Sequence, residues 1–263
     1  MRRSLLLSCV ALSLAPLASA GDLVIFYDPS QGALPTERCW DAVGPQNAPP
    51  PTIVDGALVH GLTGYGNTSY FSHPFPPISF DDGAAIEAAI KVDSSTWYSS
   101  NPYKRTGFYL GLVDSAGRWA WLGIAGNRLL LQTGDQNFSD QTYLVDTTRG
   151  IHTYRLEFNG NTATVFFDGV AVLTDTVGTG STPNRALFGD FSVLGNSKTR
   201  TSYVKVEGVP VCAIADIDCS GQVDGTDLAT LIGAWGTSLC EADLNEDGLV
   251  DGQDLAILLG LWG

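Results

Sequence analysis

The sequence of 263 residues predicts a mainly β protein, in which an antiparallel β-sandwich (jelly roll) precedes a small all-α C-terminal module. Three observations predict this division. Residues 21–208 contain short runs of strand-forming residues that turn signals separate. No long stretch of that region has the period of a helix. Residues 212–263 instead contain two copies of one segment, in which acidic residues precede a helical pattern.

The first twenty residues have the pattern of a secretory signal peptide. Two arginines precede an apolar run over residues 5–17, and small residues stand at Ala18 and Ala20. The run is too short for a membrane span, and Pro16 interrupts it. We therefore expect cleavage near Ala20, a secreted or cell-surface mature chain, and no membrane span.

The charge excludes two classes of partner. The chain has 28 acidic and 14 basic residues, a formal net charge of −14. Such a chain does not neutralise a nucleic-acid backbone, nor does it bind an anionic membrane through a basic patch. Residues 211–263 contain eight Asp, two Glu and no Lys or Arg, which marks a boundary near residue 210.

Four cysteines remain after export, namely Cys39, Cys212, Cys219 and Cys240. An oxidising compartment permits three pairings, and the sequence does not choose among them. One cysteine lies in the first part of the chain and three lie in the last. If all four pair, one bridge must therefore join the two parts.

Strand patterns fill the body between residues 21 and 208. Asn159-Gly160 and Asp168-Gly169 are typical of two-residue hairpin turns between alternating strands. The density of short strands and turns favours a sandwich. The predicted strands are at 23–27, 52–61, 84–92, 107–113, 118–124, 128–133, 152–158, 162–169, 170–175 and 201–208.

The C-terminal repeat has the chemistry of a calcium site. Residues 216–236 and 243–263 are identical at twelve of 21 positions. Calcium takes six to eight oxygen ligands, which a twelve-residue loop with glycine at its sixth position can supply. In each copy, side-chain oxygens stand at positions 1, 3, 5, 9 and 12, and a backbone carbonyl is expected at position 7. The predicted ligands of two Ca²⁺ ions are Asp216, Asp218, Ser220, Gln222, Asp224 and Asp227 in the first loop, and Asp243, Asn245, Asp247, Leu249, Asp251 and Asp254 in the second.

Each loop leads into an apolar helical pattern. Because Ser220 replaces a carboxylate, we expect the first loop to bind calcium less tightly. Val223 and Val250, at position 8, are placed to pair between the loops. The helical faces are Leu228, Leu231, Ile232 and Trp235 in the first copy, and Leu255, Leu258, Leu259 and Trp262 in the second.

These two loop–helix copies, with Asp and not Glu at position 12 and a short connection, resemble a type I dockerin module over residues 212–263. The resemblance implies docking to a cohesin-like protein in a polysaccharide-degradation setting. Family members that bind cellulosomal cohesins typically have Ser-Thr at positions 10 and 11 and basic residues on the helix. Here those positions are Gly225-Thr226 and Gly252-Gln253, without Lys or Arg. A different cohesin-like partner, or an intramolecular stabilising role, fits as well.

The body resembles the concanavalin A-like lectin/glucanase (laminin-G-like) superfamily. The segment HTYRLEFNGNTATVFFDGVAVL, the closing pattern over residues 186–206 and DGALVHG at 55–61 carry the resemblance. It implies a glycan-related function. The glucanase branch supplies catalytic carboxylates from one strand as E-x-D-x-E or E-x-D-x-x-E, and this sequence contains neither string.

The acidic residues of the body favour binding over catalysis. Glycosidases normally need two carboxyl groups beside the bond, and Glu37, Glu87, Glu157 and Glu207 have no acidic residue two positions away. The last three alternate within strands, so we expect them to face solvent beside cations, with Arg155 and Lys205 as candidates.

Aromatic side chains are the candidate sugar contacts, because sugar rings present apolar C–H faces. Trp119 and Trp121 share one side of a strand, which is also compatible with a sandwich core, whereas Trp97 and Tyr98 lie in a polar segment. Trp40 is expected in the core. The preferred hypothesis is non-catalytic recognition of a polysaccharide or glycan. The alternatives are a glycoside hydrolase with carboxylates on separate strands and a structural surface protein.

Overall fold

The computed structural model describes residues 23–43, 49–61, 69–74, 77–96, 106–134, 141–190, 196–210, 212–245 and 247–263. The predicted signal peptide over residues 1–20 lies outside these ranges, as do Trp97 and Tyr98. Neither of the helices assigned below has the length and apolar character that a membrane crossing needs, and the described residues contain no other candidate.

Within the described residues, fifteen strands form two antiparallel sheets, which confirms the predicted sandwich. The strands are β1 Leu23–Tyr27, β2 Asp41–Val43, β3 Thr52–Val54, β4 Ala57–His60, β5 Ser69–Pro74, β6 Ala84–Thr96, β7 Phe108–Val113, β8 Trp119–Ala125, β9 Arg128–Gln132, β10 Gln141–Leu144, β11 His152–Asn159, β12 Thr162–Phe167, β13 Val170–Thr176, β14 Arg185–Asp190 and β15 Asn196–Gly208.

The two sheets have different connectivities. The eight-stranded sheet has the order β13-β12-β11-β6-β15-β4-β3, with β1 paired to β15 beside β4. The seven-stranded sheet has the order β10-β9-β8-β7-β14-β5-β2. Every predicted strand region contains a strand, and residues 52–61 form a hairpin of two strands. Strands β2, β5 and β10 were not predicted, because their short segments lack a clear apolar alternation.

The main core lies between the sheets. Inward positions of β6, β7, β8, β11 and β15 supply most of its apolar side chains. Trp40 is buried there as expected, with its ring centroid 4.8 Å from that of Phe188. The alternation of strands β11 and β12 leaves the outer face of the eight-stranded sheet open, whereas β7 is buried along its whole length.

The C-terminal module has a second, separate core. Helix α1 spans Gly225–Gly233 and helix α2 spans Gly252–Gly260, and Leu231 and Leu258 are fully buried. The helices are shorter than predicted. Trp235 and Trp262 follow the helix ends and, with Ile232 and Leu259, are about half exposed. The predicted apolar faces are therefore only partly buried.

Val223 and Val250 do not pair with each other, contrary to the prediction. Both are buried, but each contacts the end of the opposite helix segment. Val250 accepts from Gly236 N at 2.9 Å and donates to Thr237 O at 2.8 Å, and Val223 O accepts from Gly263 N at 3.2 Å. Each loop therefore bonds with the end of the other repeat, so the two repeats pack as a symmetric pair.

Two disulfides close the chain. Cys39 bonds with Cys240, 201 residues away, and Cys212 bonds with Cys219. One bridge therefore joins the two parts, as the count of cysteines requires when all four pair. In the loop-closure model, a bridge across so long a segment lowers the entropy of the unfolded chain and so raises its free energy by about 5 kcal/mol at 25 °C.

One imidazole lies in the apolar core. His60, at the end of β4, is 1% exposed, and its ring lies 5.6 Å from that of Phe71 and 5.7 Å from that of Phe108. Neither of its nitrogens has a hydrogen-bond partner. Burial lowers the pKa of His60 from its ordinary value of 6.5 to about 4.

This burial predicts a loss of stability in mild acid. The folded chain holds His60 neutral, whereas the unfolded chain protonates it below pH 6.5. The stabilisation is therefore complete above pH 6.5 and is lost as the pH falls towards 4, by about 3 kcal/mol in total. Denaturant unfolding of the native protein and of His60→Phe, at pH 7.5 and 4.5, should show the steeper loss in the native protein. Equal losses would contradict the assignment.

Candidate functional site

The outer face of the seven-stranded sheet holds the aromatic residues that sequence analysis singled out. Strand register places Trp121 beside Gly111 and Gln132, and Trp119 beside Val113. Tyr70 and Tyr109 lie on the same side, on strands β5 and β7, each opposite Gly189. We call Tyr70, Tyr109, Trp119 and Trp121 the aromatic face.

Glycines allow these rings to lie close to the sheet. A Cβ atom at Gly111 would stand 1.8 Å from Cε3 of Trp121, and one at Gly178 would stand 2.6 Å from Cε2 of Trp119. No residue other than glycine fits at either position without movement of the indole ring. The indoles of Trp119 and Trp121 stack with centroids 5.4 Å apart.

The aromatic face is only partly open. Trp119 is 8% exposed, and its indole N–H donates to Thr179 O at 3.3 Å. Tyr109 is also buried, and its hydroxyl accepts from Thr106 N at 3.1 Å. Tyr70 and Trp121 keep partial exposure. Trp119 is therefore a packing residue, and of the two predicted tryptophans Trp121 is the one that offers contact surface.

Carboxylates are scarce on this face. Its strand positions on β7, β8 and β14 carry aromatic, aliphatic and glycine side chains and the cationic Arg185. Among the described strand residues, Asp41 on edge strand β2 is the single carboxylate that the register places on this side. The described residues of the face therefore do not bring together the two carboxyl groups that glycoside cleavage needs.

The opposite face of the sandwich carries a charge ladder. On the outer side of the eight-stranded sheet, Arg155 contacts Glu207 at 2.5 Å and Glu157 at 3.2 Å. Lys205 contacts Glu87 at 3.1 Å and Glu207 at 2.9 Å. The predicted pairing of the three glutamates with Arg155 and Lys205 is confirmed.

Within the ladder, Glu207 is unsuited to general acid catalysis. Burial alone would raise the pKa of Glu207, but hydrogen bonds from Lys205 and Arg155 outweigh burial and lower that pKa. A catalytic acid needs a raised pKa to stay protonated. The remaining body glutamate, Glu37, accepts a hydrogen bond from Leu34 N in a turn of 3₁₀ helix.

The first acidic loop, residues 216–227, folds around its own carboxylates. Asp216 accepts from Ser220 N and Gly221 N, both at 2.9 Å. Asp227 accepts from Ile217 N at 2.7 Å and from Asp224 N at 2.8 Å. One carboxylate oxygen from each of Asp216, Asp218 and Asp227 lies within 4.8 Å of the others.

The second acidic loop, residues 243–254, repeats this geometry. Asp243 accepts from Asp247 N at 3.1 Å and from Gly248 N at 2.8 Å. Asp254 accepts from Leu244 N at 2.8 Å and from Asp251 N at 2.7 Å. The two loops thus hold equivalent side chains in the same hydrogen-bond pattern, as the sequence repeat predicts.

The carboxylates at positions 1 and 12 are buried without a cation of the module. Asp216, Asp227, Asp243 and Asp254 are at most 3% exposed, and residues 211–263 contain no Lys or Arg. Burial raises the pKa of Asp243, and the charge of Asp254 raises it further. Buried charges require pairing or metal coordination, and the hard oxygens of these loops are of the type that Ca²⁺ prefers. The residues therefore fit a calcium ion.

Some predicted ligands have additional structural roles. Asp224 and Asp251 cap the two helices by accepting from Thr226 N and Gln253 N, both at 2.7 Å. The hydroxyl of Ser220 donates to Gln222 O at 3.3 Å.

The partial exposure of Tyr70 on the aromatic face was not predicted from the sequence, because its strand β5 was not recognised.

Comparisons with known proteins extend the fold assignment. No protein-family model matches the sequence, and no curated protein matches it. Among solved structures, the conserved carbohydrate esterase vb_24B_21 from Shiga toxin-encoding bacteriophage phi24B is 13% identical over 71% of this chain and 98% of its own, with a TM-score of 0.51. The apo Crh5 transglycosylase is 16% identical over 73% of this chain and 88% of its own, with a TM-score of 0.52.

The Crh5 transglycosylase in complex with NAG matches to the same extent, at 16% identity over 73% of this chain and 86% of its own, with a TM-score of 0.51. At these identities the likeness concerns the fold. It agrees with the two-sheet antiparallel sandwich described above.

Proposed function

We propose that this chain is a secreted calcium-binding protein, in which a carbohydrate-recognition sandwich is joined to a dockerin-like module that docks or anchors it in polysaccharide degradation. The observation that carries the calcium part is the burial of four aspartates in a module without basic residues. The signal-like N-terminus and the two disulfides support export.

Calcium would be held by the ligands that the repeat predicts. Asp216, Asp218, Ser220, Asp224, Asp227 and the Gln222 carbonyl form one set, and Asp243, Asn245, Asp247, Asp251, Asp254 and the Leu249 carbonyl form the other. A bound divalent cation supplies the positive charge that the buried carboxylates lack. The loops already orient positions 1 and 12 through backbone hydrogen bonds, which reduces the ordering cost of binding.

Recognition of a glycan without cleavage is the function that the aromatic face supports best. Trp121 and Tyr70 are partly exposed on a sheet whose described outer positions offer no carboxylate pair. The sandwich is similar in fold to a carbohydrate esterase and to a transglycosylase. This similarity favours a carbohydrate ligand, and it keeps glycoside hydrolysis as the second candidate.

Docking is supported by the apolar residues that the module exposes. Ile232 and Trp235 in the first repeat, and Leu259 and Trp262 in the second, occupy equivalent positions and are about half exposed. Exposed apolar pairs on an otherwise acidic module are typical of an interaction surface. A cohesin-like protein with a complementary, basic-rimmed surface is the proposed partner.

Removal of calcium should unfold the module. In the mature chain, excess chelator should reduce the far-UV helix signal and lower the melting temperature, because calcium at 100 times its Kd contributes about 2.7 kcal/mol per site. Titration calorimetry should detect two sites, the weaker of which Ser220→Asp tightens. Asp216→Asn with Asp243→Asn is the control that should not respond to calcium. A native chain that shows neither heat nor a spectral change would refute calcium binding.

The sandwich should bind a polysaccharide through Trp121. A screen of β-linked polysaccharides should find a ligand whose affinity falls at least about fivefold in Trp121→Ala, since a buried aromatic contact contributes more than about 1 kcal/mol. Trp235→Ala, a matched change on the module, should leave that affinity unchanged. Release of reducing sugar would favour the hydrolase hypothesis, and the absence of both binding and turnover would favour a structural surface protein.

Docking should depend on the exposed tryptophans of the module. In the presence of calcium, the mature chain should bind at least one of a panel of immobilised cohesin modules, and Trp235→Ala with Trp262→Ala should abolish this binding. Trp121→Ala is the matched control that should retain it. If no cohesin binds the native chain, the docking proposal fails while glycan recognition remains testable by itself.

A further inference from the structure

We propose that the second acidic loop is a structural calcium site of the sandwich, whereas the first loop serves the module alone. This inference rests on the calcium binding proposed above. The disulfide between Cys39 and Cys240 and the contact of Gly248 with Glu37 clamp the second loop to the segment that leads into β2. Calcium bound there then stabilises this edge of the sandwich.

The clamp consists of a disulfide and of a close backbone contact. Cys240 stands three residues before Asp243, the first position of the loop, and its Cα lies 5.4 Å from that of Cys39. A Cβ atom at Gly248 would stand 3.4 Å from the carbonyl oxygen of Glu37, so the turn of the loop lies against the sandwich backbone. A cleft of about 290 Å³ lies between the second loop and the sandwich. Asp243 and Gly248 line it on the side of the loop, and Thr36, Glu37 and Cys39 line it on the side of the sandwich.

The sandwich side of the clamp is a rigid turn. The Glu37 carboxylate accepts from Leu34 N at 2.7 Å, and Pro35 O accepts from Trp40 N at 3.1 Å. Cys39 has a φ of 60°, an unfavourable conformation for a residue with a Cβ. Such a conformation persists where the surrounding contacts enforce it.

This turn leads directly to the core and to the aromatic face. Trp40 follows Cys39, is 2% exposed, and packs its ring 5.0 Å from that of His73. Strand β2 begins at Asp41 and pairs with β5, the strand that carries Tyr70. A restraint on Cys39 therefore acts on an edge strand and on a buried side chain at once.

Within the described part of the chain, no disulfide joins the first loop to the sandwich. The disulfide of this loop joins Cys212 to Cys219, which is the fourth residue of the loop itself, seven residues away. The two loops share one hydrogen-bond pattern, but their disulfides lead to different places. The cysteine beside the second loop bonds with Cys39 of the sandwich, whereas the cysteine in the first loop bonds with Cys212. Equivalent substitutions at Asp216 and Asp243 separate binding in each loop from its effect on the sandwich.

Hydrogen exchange of the mature chain, with calcium and with chelator, tests the proposal. Calcium should slow exchange in peptides from residues 34–43 and 69–74 and raise the melting temperature by roughly 5–10 °C. The isosteric Asp216→Asn should keep this protection of the sandwich. Asp243→Asn should lose it, and so should Cys39→Ser with Cys240→Ser.

The outcomes separate this inference from the proposed function. A native chain that shows no heat in calcium titration refutes calcium binding and the clamp together. A chain that binds calcium but gains protection only within residues 212–263 refutes the clamp alone. Protection of the sandwich that survives Asp243→Asn, or survives the double cysteine change, also overturns it. Because Asp243→Asn leaves both disulfides intact, the test holds even if the cysteine variant fails to fold.

Discussion

The architecture of the module depends on the burial of like charges. Asp216, Asp227, Asp243 and Asp254 stand at the two ends of two loops, and each end carboxylate is enclosed by backbone N–H groups. These hydrogen bonds hold the loops in shape, but they supply no cation, and residues 211–263 contain no Lys or Arg. Uncompensated buried charge is costly, so the small core formed by Leu231 and Leu258 cannot be considered apart from a cation.

The two outer faces of the sandwich carry different side chains. The eight-stranded sheet covers its outer side with Glu87, Arg155, Glu157, Lys205 and Glu207, whose charges neutralise one another in a connected ladder. The seven-stranded sheet is covered instead by aromatic rings that glycines admit close to the backbone. The charge ladder pairs the ionic groups of one face, and the aromatic face is the surface on which the proposed glycan would pack.

Most of the fold could be predicted from the sequence, because the main strands alternate clearly and the two copies of the C-terminal repeat are identical at twelve of 21 positions. Strands β2, β5 and β10 were missed, since three to six residues carry too little pattern. Trp235 and Trp262 were predicted on the apolar faces of the helices, but the helices end at Gly233 and Gly260, and the residues beyond a helix end no longer follow its period. The partial exposure of Trp121 and the burial of Trp119 depend on distant segments, such as Thr179, which no local pattern reveals.

The two disulfides distinguish the two copies of the repeat. Duplication gives both loops the same ligands, so the repeats by themselves do not distinguish an anchor from a structural support. Cys240 breaks that symmetry by joining the second loop to Cys39, while Cys212 bonds within the module. The exposed pairs Ile232 with Trp235 and Leu259 with Trp262 do not line the cleft beside Cys39. The proposed attachment to the sandwich and the proposed docking to a partner would therefore use different surfaces of the module.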